Sequence, residues 1–154
     1  MKSRIFIFGT GSHARKVFHC ATLLGFEVAG FLDDDASARS PISNFKVFHS
    51  STVGAPASTD VMFVAIGRGE VRKRVMDKFD SMGWNFPAIV HPTAWISPDA
   101  RLDDGVLVAA GAIVETAAVI ERGVIIDIGV LVDHDCRVGA YCHLTPGQVV
   151  RSGI

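Results

Sequence analysis

From Val90 to Val150 an aliphatic residue recurs at every sixth position without a miss: Val90, Ile96, Leu102, Val108, Val114, Ile120, Ile126, Val132, Val138, Leu144 and Val150. Helical patterns repeat near 3.6 residues and half-buried strands near 2, so a strict six belongs to neither alone. It suits a solenoid in which each repeat is one short strand plus a corner, with the aliphatic side chain pointing inward at every face. The position four after each aliphatic reads Ala94, Ala100, Val106, Ala112, Ala118, Val124, Val130, Cys136, Cys142, Gln148 and Ile154. These are mostly small or β-branched, as expected where a second inward side chain must fit beside a turn.

Before residue 88 the pattern changes to alternating strands and helices. Arg4 to Phe8 reads as a buried strand, and Gly9 to Ala14 as a glycine turn. Ala14 to Leu24 carries Val17, Phe18, Ala21 and Leu24 at helical spacing and is ended by Gly25. Glu27 to Leu32 is a second strand running into Asp33-Asp34-Asp35, followed by a polar loop from Ala36 to Pro41. Asp60 to Ile66 is apolar enough for a central parallel strand, and Gly67-Arg68-Gly69 turns into an amphipathic helix from Glu70 to Met82. The order predicts a Rossmann-like βαβ domain over residues 1–88 and an all-β solenoid over 89–154. Ligands of parallel α/β sheets bind at the carboxyl ends of the strands. The crevice is therefore expected to gather Gly9, Gly11, Ser12 and His13 with Asp33, Asp34, Gly67 and Arg68.

Gly9-x-Gly11-x-x-Ala14 lies between a strand and a helix with acidic residues about twenty positions on, the arrangement of a dinucleotide fingerprint. Its chemistry is anion binding, since glycines admit a close ligand and the helix N–H groups face a diphosphate. The segment before the repeat is too short for two mononucleotide halves plus a catalytic domain. A single nucleotide diphosphate suits it better than NAD. His13 suits a polar contact to that ligand, and Asp33 and Asp34 can accept hydrogen bonds from a base or ribose.

Composition narrows the classes. A net charge of −1 gives no electrostatic reason to bind nucleic acid or an anionic membrane. No apolar run is long enough to span a bilayer, and the short stretch from Ile5 to Phe8 does not read as a signal peptide. Cys20, Cys136 and Cys142 fit a reducing compartment, with cytoplasm the expectation. Cys136 and Cys142 are expected to stack inside the solenoid as small hydrophobes, and no metal is expected.

Gly9-Thr10-Gly11-Ser12-His13-Ala14-Arg15-Lys16-Val17, Phe31-Leu32-Asp33-Asp34, Ala65-Ile66-Gly67 and Val132-Asp133-His134-Asp135-Cys136, joined to the six-residue repeat, resemble one family. It is the hexapeptide-repeat sugar O- and N-acyltransferases, which include the sialic acid O-acetyltransferases and the nucleotide-4-amino-sugar N-acetyltransferases of bacterial glycan pathways. The resemblance implies a left-handed parallel β-helix, a homotrimer, a nucleotide-linked sugar bound by the first domain, and acetyl-CoA as co-substrate in a groove between neighbouring β-helices. His134 is the candidate general base, since attack of a sugar amine or hydroxyl on a thioester needs a group titrating near neutrality. The resemblance gives Asp135 the role of its carboxylate partner, which a sequence neighbour can fill only if the turn folds it back. It also places His143 at the acetyl group of acetyl-CoA, across a subunit boundary, whereas His91 reads as structural. Relative to the family the repeat ends early, at Ile154 in an incomplete coil, so the chain reads as truncated at its C-terminus. Two other readings stand beside the acetyltransferase: a catalytically weak nucleotide-sugar-binding module, and an NAD-binding protein using the glycine loop.

Overall fold

Ile5 and Ile7 are fully buried on one face of a strand that is paired along both edges. That strand, β1 (Arg4–Phe8), is central in a four-stranded sheet with β2 (Glu27–Asp33), β3 (Val47–His49) and β4 (Asp60–Val64), in the order β3-β2-β1-β4. All three pairings are parallel. The helix α1 (Ser12–Leu23) makes the β1–β2 crossover and buries Ala14, Val17, Cys20 and Ala21, and α2 (Gly69–Asp80) follows β4 and buries Val75, Met76 and Phe79. Strand order reverses at β1, with β2 on one side and β4 on the other. That reversal opens a crevice beyond the carboxyl ends of β1 and β4.

This computed structural model describes residues 2–153, and the chain divides between Pro87 and Ala88 into two units. The sequence suggested no strand at Val47–His49. Three residues between segments rich in Ser, Pro and Asn carry too little pattern to be recognised, and the pairing with β2 decides their conformation. Arg72 departs from expectation too. A charged residue in an amphipathic helix reads as solvent-facing, yet Arg72 is fully buried, where its Nη1 donates to the carbonyls of Ile66 at 2.5 Å and Gly67 at 3.0 Å.

In the second unit the six-residue register appears as eleven two-residue strands stacked into three parallel sheets. One face holds β5 (Ile89–Val90), β8 (Leu107–Val108), β11 (Ile125–Ile126) and β14 (His143–Leu144). A second holds β6 (Trp95–Ile96), β9 (Ile113–Val114), β12 (Leu131–Val132) and β15 (Val149–Val150), and the third holds β7 (Arg101–Leu102), β10 (Val119–Ile120) and β13 (Arg137–Val138). Residues eighteen apart are therefore directly stacked, as Ile120 is on Leu102 and Val138 on Ile120. This is the solenoid that the repeat predicted, and the left-handed β-helix that the family resemblance implied. Its core is the aliphatic column set with the small column beside it, including Val108, Ala112, Val114, Ala118, Ile120, Val132 and Cys136.

Two positions of the small column do not follow expectation. Cys142 is exposed rather than stacked inside, and so is Gln148, whose side-chain oxygen accepts from the Thr145 amide at 3.0 Å. Both belong to the last coil, whose outer edge has no further coil over it among the described residues. Ile154, the last member of that column, lies outside the described residues.

From Gly105 onward each corner turns through a residue in the left-handed region, three positions after the inward aliphatic, whereas the first two corners, at Thr93 and Asp99, do not. Gly105, Gly111, Gly123, Gly129, Gly147 and Gly153 have φ between +65° and +73°. Ala117, Asp135 and Tyr141 hold the same place at φ +57°, +58° and +63°. The conformation aims the amide at the previous coil: Gly123, Gly129, Asp135, Tyr141 and Gly147 donate to carbonyls one coil back at 2.9–3.0 Å. The corner therefore satisfies a backbone donor that a buried turn would otherwise leave unmet.

Ile120 is fully buried in the middle of the stack, so Ile120→Ala is expected to cost about 2–5 kcal/mol in urea unfolding. Arg101→Ala, at an exposed position, is expected to change stability by no more than about 0.5 kcal/mol. Equal effects would contradict the inward and outward assignment.

Candidate active site

In the first unit, the turns after β1, β2 and β4 meet round a cleft of about 390 Å³. Gly9, Gly11, Ser12, His13, Asp33, Asp34 and Gly67 all line it, with Phe8, Ile66, Val71 and Val75 supplying apolar wall. Arg68 takes the N-cap position of α2 and is exposed rather than part of this lining.

The two glycines of the first turn are glycine for different reasons. Gly9 has φ +115°, and a Cβ there would sit 2.8 Å from the Ala65 carbonyl oxygen, so the fold itself excludes a side chain. Gly11 has an ordinary φ of −89°, and a Cβ built on it meets nothing within 4 Å. Its bareness leaves open space at the N-terminus of α1, where Gly11 offers no side-chain cap and no acidic residue occupies the first turn. Unshielded N–H groups at a helix start favour an anion.

The far wall is fixed by hydrogen bonds. Thr10 donates its hydroxyl to Asp33 Oδ2 at 2.8 Å, and the Asp35 amide donates to Oδ1 at 3.0 Å. Asp34 accepts from the buried Ser50 hydroxyl, and its carbonyl lies 2.9 Å from His49 Nε2. Ser50 and His49 arrive with β3 and the 3₁₀ turn Ser50–Thr52 after it. They escaped sequence reasoning because the strand that delivers them did. Arg72 was missed likewise, although it pins the Ile66–Gly67 turn at the cleft.

In the second unit, His134 and Asp135 form the turn after β12. Because Asp135 is left-handed, its carboxylate folds back and Oδ2 lies 2.7 Å from His134 Nδ1. Asp133 Oδ1 accepts from the His134 amide at 2.8 Å and stands 3.8 Å from Nε2. The Asp135 hydrogen bond, and then the charge of Asp133, raise the His134 pKa above the ordinary imidazole value. The Asp133 carboxyl is held below its usual range, first by the His134 amide. The imidazole is about half exposed, as a group that meets a substrate must be. Ser152, which the sequence reading did not single out, brings its Oγ within 3.2 Å of His134 Nε2. The signal was there: Ser152 is eighteen residues on, one full coil.

His143 sits on β14, on a different face from His134, with Nε2 3.1 Å from Asp127 Oδ2. His91 Nδ1 is 2.8 Å from Thr93 Oγ1 within its own turn.

A cleft at the switch point of the α/β sheet in the first unit and a histidine–aspartate pair at a β-helix corner in the second fit what the resemblance to the hexapeptide-repeat acyltransferases implies. A family model described as the PglD N-terminal domain matches residues 4–79. The acetyltransferase domain of PglB from Neisseria gonorrhoeae is similar at 26% identity over 96% of this chain and 73% of that one, with a TM-score of 0.86. PerB from Caulobacter crescentus, described in complex with CoA and GDP-perosamine, is 33% identical over 94% of this chain and 70% of its own, with a TM-score of 0.80. WeeI from Acinetobacter baumannii shares the fold at 18% identity, with a TM-score of 0.80 over 95% of this chain and 71% of that one. The chain belongs to the hexapeptide-repeat sugar acetyltransferases and is an acyltransferase.

Gly9→Ala is expected to lower stability by roughly 1–3 kcal/mol through strain against Ala65, whereas Gly11→Ala stays within about 0.5 kcal/mol of the parent. Thermal or urea unfolding of the two variants checks this. Equal stabilities would show that the carbonyl contact does not constrain Gly9.

Proposed function

We propose that this protein transfers the acetyl group of acetyl-CoA to an amino group of a nucleotide-linked sugar in bacterial glycan biosynthesis, with His134 as general base. The observation that carries the reading is the 2.7 Å contact between His134 Nδ1 and Asp135 Oδ2, at a corner of a β-helix that belongs to this family. The amine and the nucleotide-linked sugar come from the relative described as a complex with GDP-perosamine. Acetyl-CoA comes from the N. gonorrhoeae PglB domain, also described with acetyl coenzyme A.

With Nδ1–H directed at Asp135, the Nε2 lone pair accepts a proton from the sugar amine as its nitrogen attacks the thioester carbonyl. Asp135 fixes that tautomer and stabilises the imidazolium. Collapse of the tetrahedral adduct breaks the C–S bond, and the imidazolium returns its proton to the CoA thiolate. The nucleotide is assigned to the cleft, its diphosphate at the α1 N-terminus beside Gly9, Gly11 and Ser12. Asp33 and Asp34 face its base and ribose, and His13, Gly67 and Arg68 complete the substrate-binding set. His143, held by Asp127, is assigned to the acetyl-CoA of a neighbouring copy.

We further propose that the protein is a homotrimer joined through the β-helix. Its support is an outward apolar column on the second face, where Trp95, Ile113 and Val149 are 49%, 36% and 51% exposed with half-buried Leu131 among them. Such a stripe suits burial against another copy. Among the described residues, no helix is long and apolar enough to cross a membrane. We place the protein in the cytoplasm, where thiols such as Cys20, Cys136 and Cys142, none in a disulfide, persist.

His134→Ala is expected to lower the transfer rate at least about 100-fold while nucleotide-sugar binding persists. Because the His134 pKa is raised, the neutral imidazole is lost sooner on acidification, so the acid limb of kcat/KM lies above about pH 6.5. Thiol-release assays across pH, with thermal-shift titration by GDP- and UDP-amino sugars, acetyl-CoA and NAD, check the reading. Unchanged turnover in His134→Ala removes His134 as base. Sugar binding with no response to acetyl-CoA makes the chain a binding module, and stabilisation by NAD alone restores the dinucleotide reading.

A further inference from the structure

Thr116, His134 and Ser152 occupy the same turn position in successive coils, so Ser152 stands one coil above the imidazole. Its Oγ is 3.2 Å from His134 Nε2 and 3.2 Å from Asp133 Oδ2, bridging two groups whose own closest approach is 3.8 Å. A hydroxyl has one proton and two lone pairs, so it cannot donate to both neighbours at once. With the imidazole neutral and Nδ1–H on Asp135, Nε2 is an acceptor and Ser152 donates to it. With the imidazole charged, Nε2–H donates to Ser152, and the Ser152 proton turns to Asp133.

Building on the assignment of His134 as base, we propose that Ser152 is a positioning residue for His134, a hydroxyl hinge that holds Nε2 in both charge states and links the imidazolium to Asp133. The hinge keeps the ring plane fixed from the Nε2 side, as Asp135 does from the Nδ1 side. When the amine of the substrate approaches, its N–H competes for the Nε2 lone pair and the Ser152 proton swings to Asp133, uncovering the base. After proton abstraction, the new Nε2–H finds Ser152 Oγ as acceptor already in place. No bond other than the one to the transferred proton is made or broken at the histidine.

The charged groups acting on the ring are Asp135, Asp133 and Glu115, all acidic, so the hydroxyl bridge sits in a field that favours the imidazolium. Hydrogen bonds to an ionised partner are about twice as strong as neutral ones. Removing the hydroxyl therefore takes more from the charged ring than from the neutral one, and the titration midpoint moves down. Glu115, Asp133 and Asp135 remain in place in that variant, so the shift isolates the bridge.

The test is an NMR titration of the His134 ring in the wild-type chain, Ser152→Ala and Ser152→Thr, paired with kcat and KM across pH. In Ser152→Ala the His134 midpoint is expected to fall and the acid limb of kcat to follow it. The same variant is expected to lose about tenfold or more in kcat with KM for the nucleotide sugar unchanged. Ser152→Thr, which keeps the hydroxyl, is expected to restore the wild-type midpoint. An unmoved midpoint in Ser152→Ala overturns the proposal, whether or not kcat falls. Full turnover in His134→Ala would remove the base assignment instead, and the ring titration would still decide the hinge, so the two failures are read separately.

Discussion

The left-handed corner is the constraint on which the second half of this molecule depends. A six-residue repeat can close only if each strand of two residues is followed by a sharp turn, and from Gly105 onward every such turn carries a residue at positive φ. The same conformation carries the corner amide onto a carbonyl one coil back, as from Asp135 to Thr116 at 3.0 Å. Turning the chain and stacking the coils are thus one event. Glycine performs it without strain in most coils, which is why glycine recurs there.

Where a left-handed corner is not glycine, as at Ala117, Asp135 and Tyr141, the chain accepts strain for a side chain. At Asp135 the gain is a carboxylate turned back onto the preceding residue, a contact that an extended or helical backbone would not give to sequence neighbours. The rest of the candidate base follows from the stack: β12 fixes the turn, Asp133 holds the His134 amide, and the next coil lays Ser152 against Nε2. The first unit applies a comparable rule. Gly9 is forced by the Ala65 carbonyl, and the bare Gly11 after it leaves open space at the α1 N-terminus.

Much of this was legible in the sequence, for a physical reason. Buried periodicities leave a compositional trace, so the aliphatic column, the β1, α1 and β4 segments and the meeting of residues 9–13 with 33–34 and 67 could be read from spacing. Features set by tertiary partners left none. Val47–His49 is a strand because β2 offers it an edge, Arg72 is buried because two carbonyls accept its guanidinium, and Cys142 is exposed although it keeps the register. Ser152 falls between these cases, since its relation to His134 is a spacing of three repeats, visible only once the coil is known to hold eighteen residues. The reach of Asp135 depended on one dihedral angle that no pattern reports.

Asp135 is kept against the preference of its own backbone, so stability and catalysis should separate there. The measurement is Asp135→Gly, followed in parallel by urea unfolding and by CoA thiol release from acetyl-CoA with a nucleotide-linked amino sugar. Glycine suits φ +58°, so the variant is expected to be at least as stable as the parent, by up to about 1 kcal/mol, while the transfer rate falls at least about tenfold. A glycine variant that keeps the full rate is the contrary result. It would mean that the carboxylate at the corner serves the fold alone.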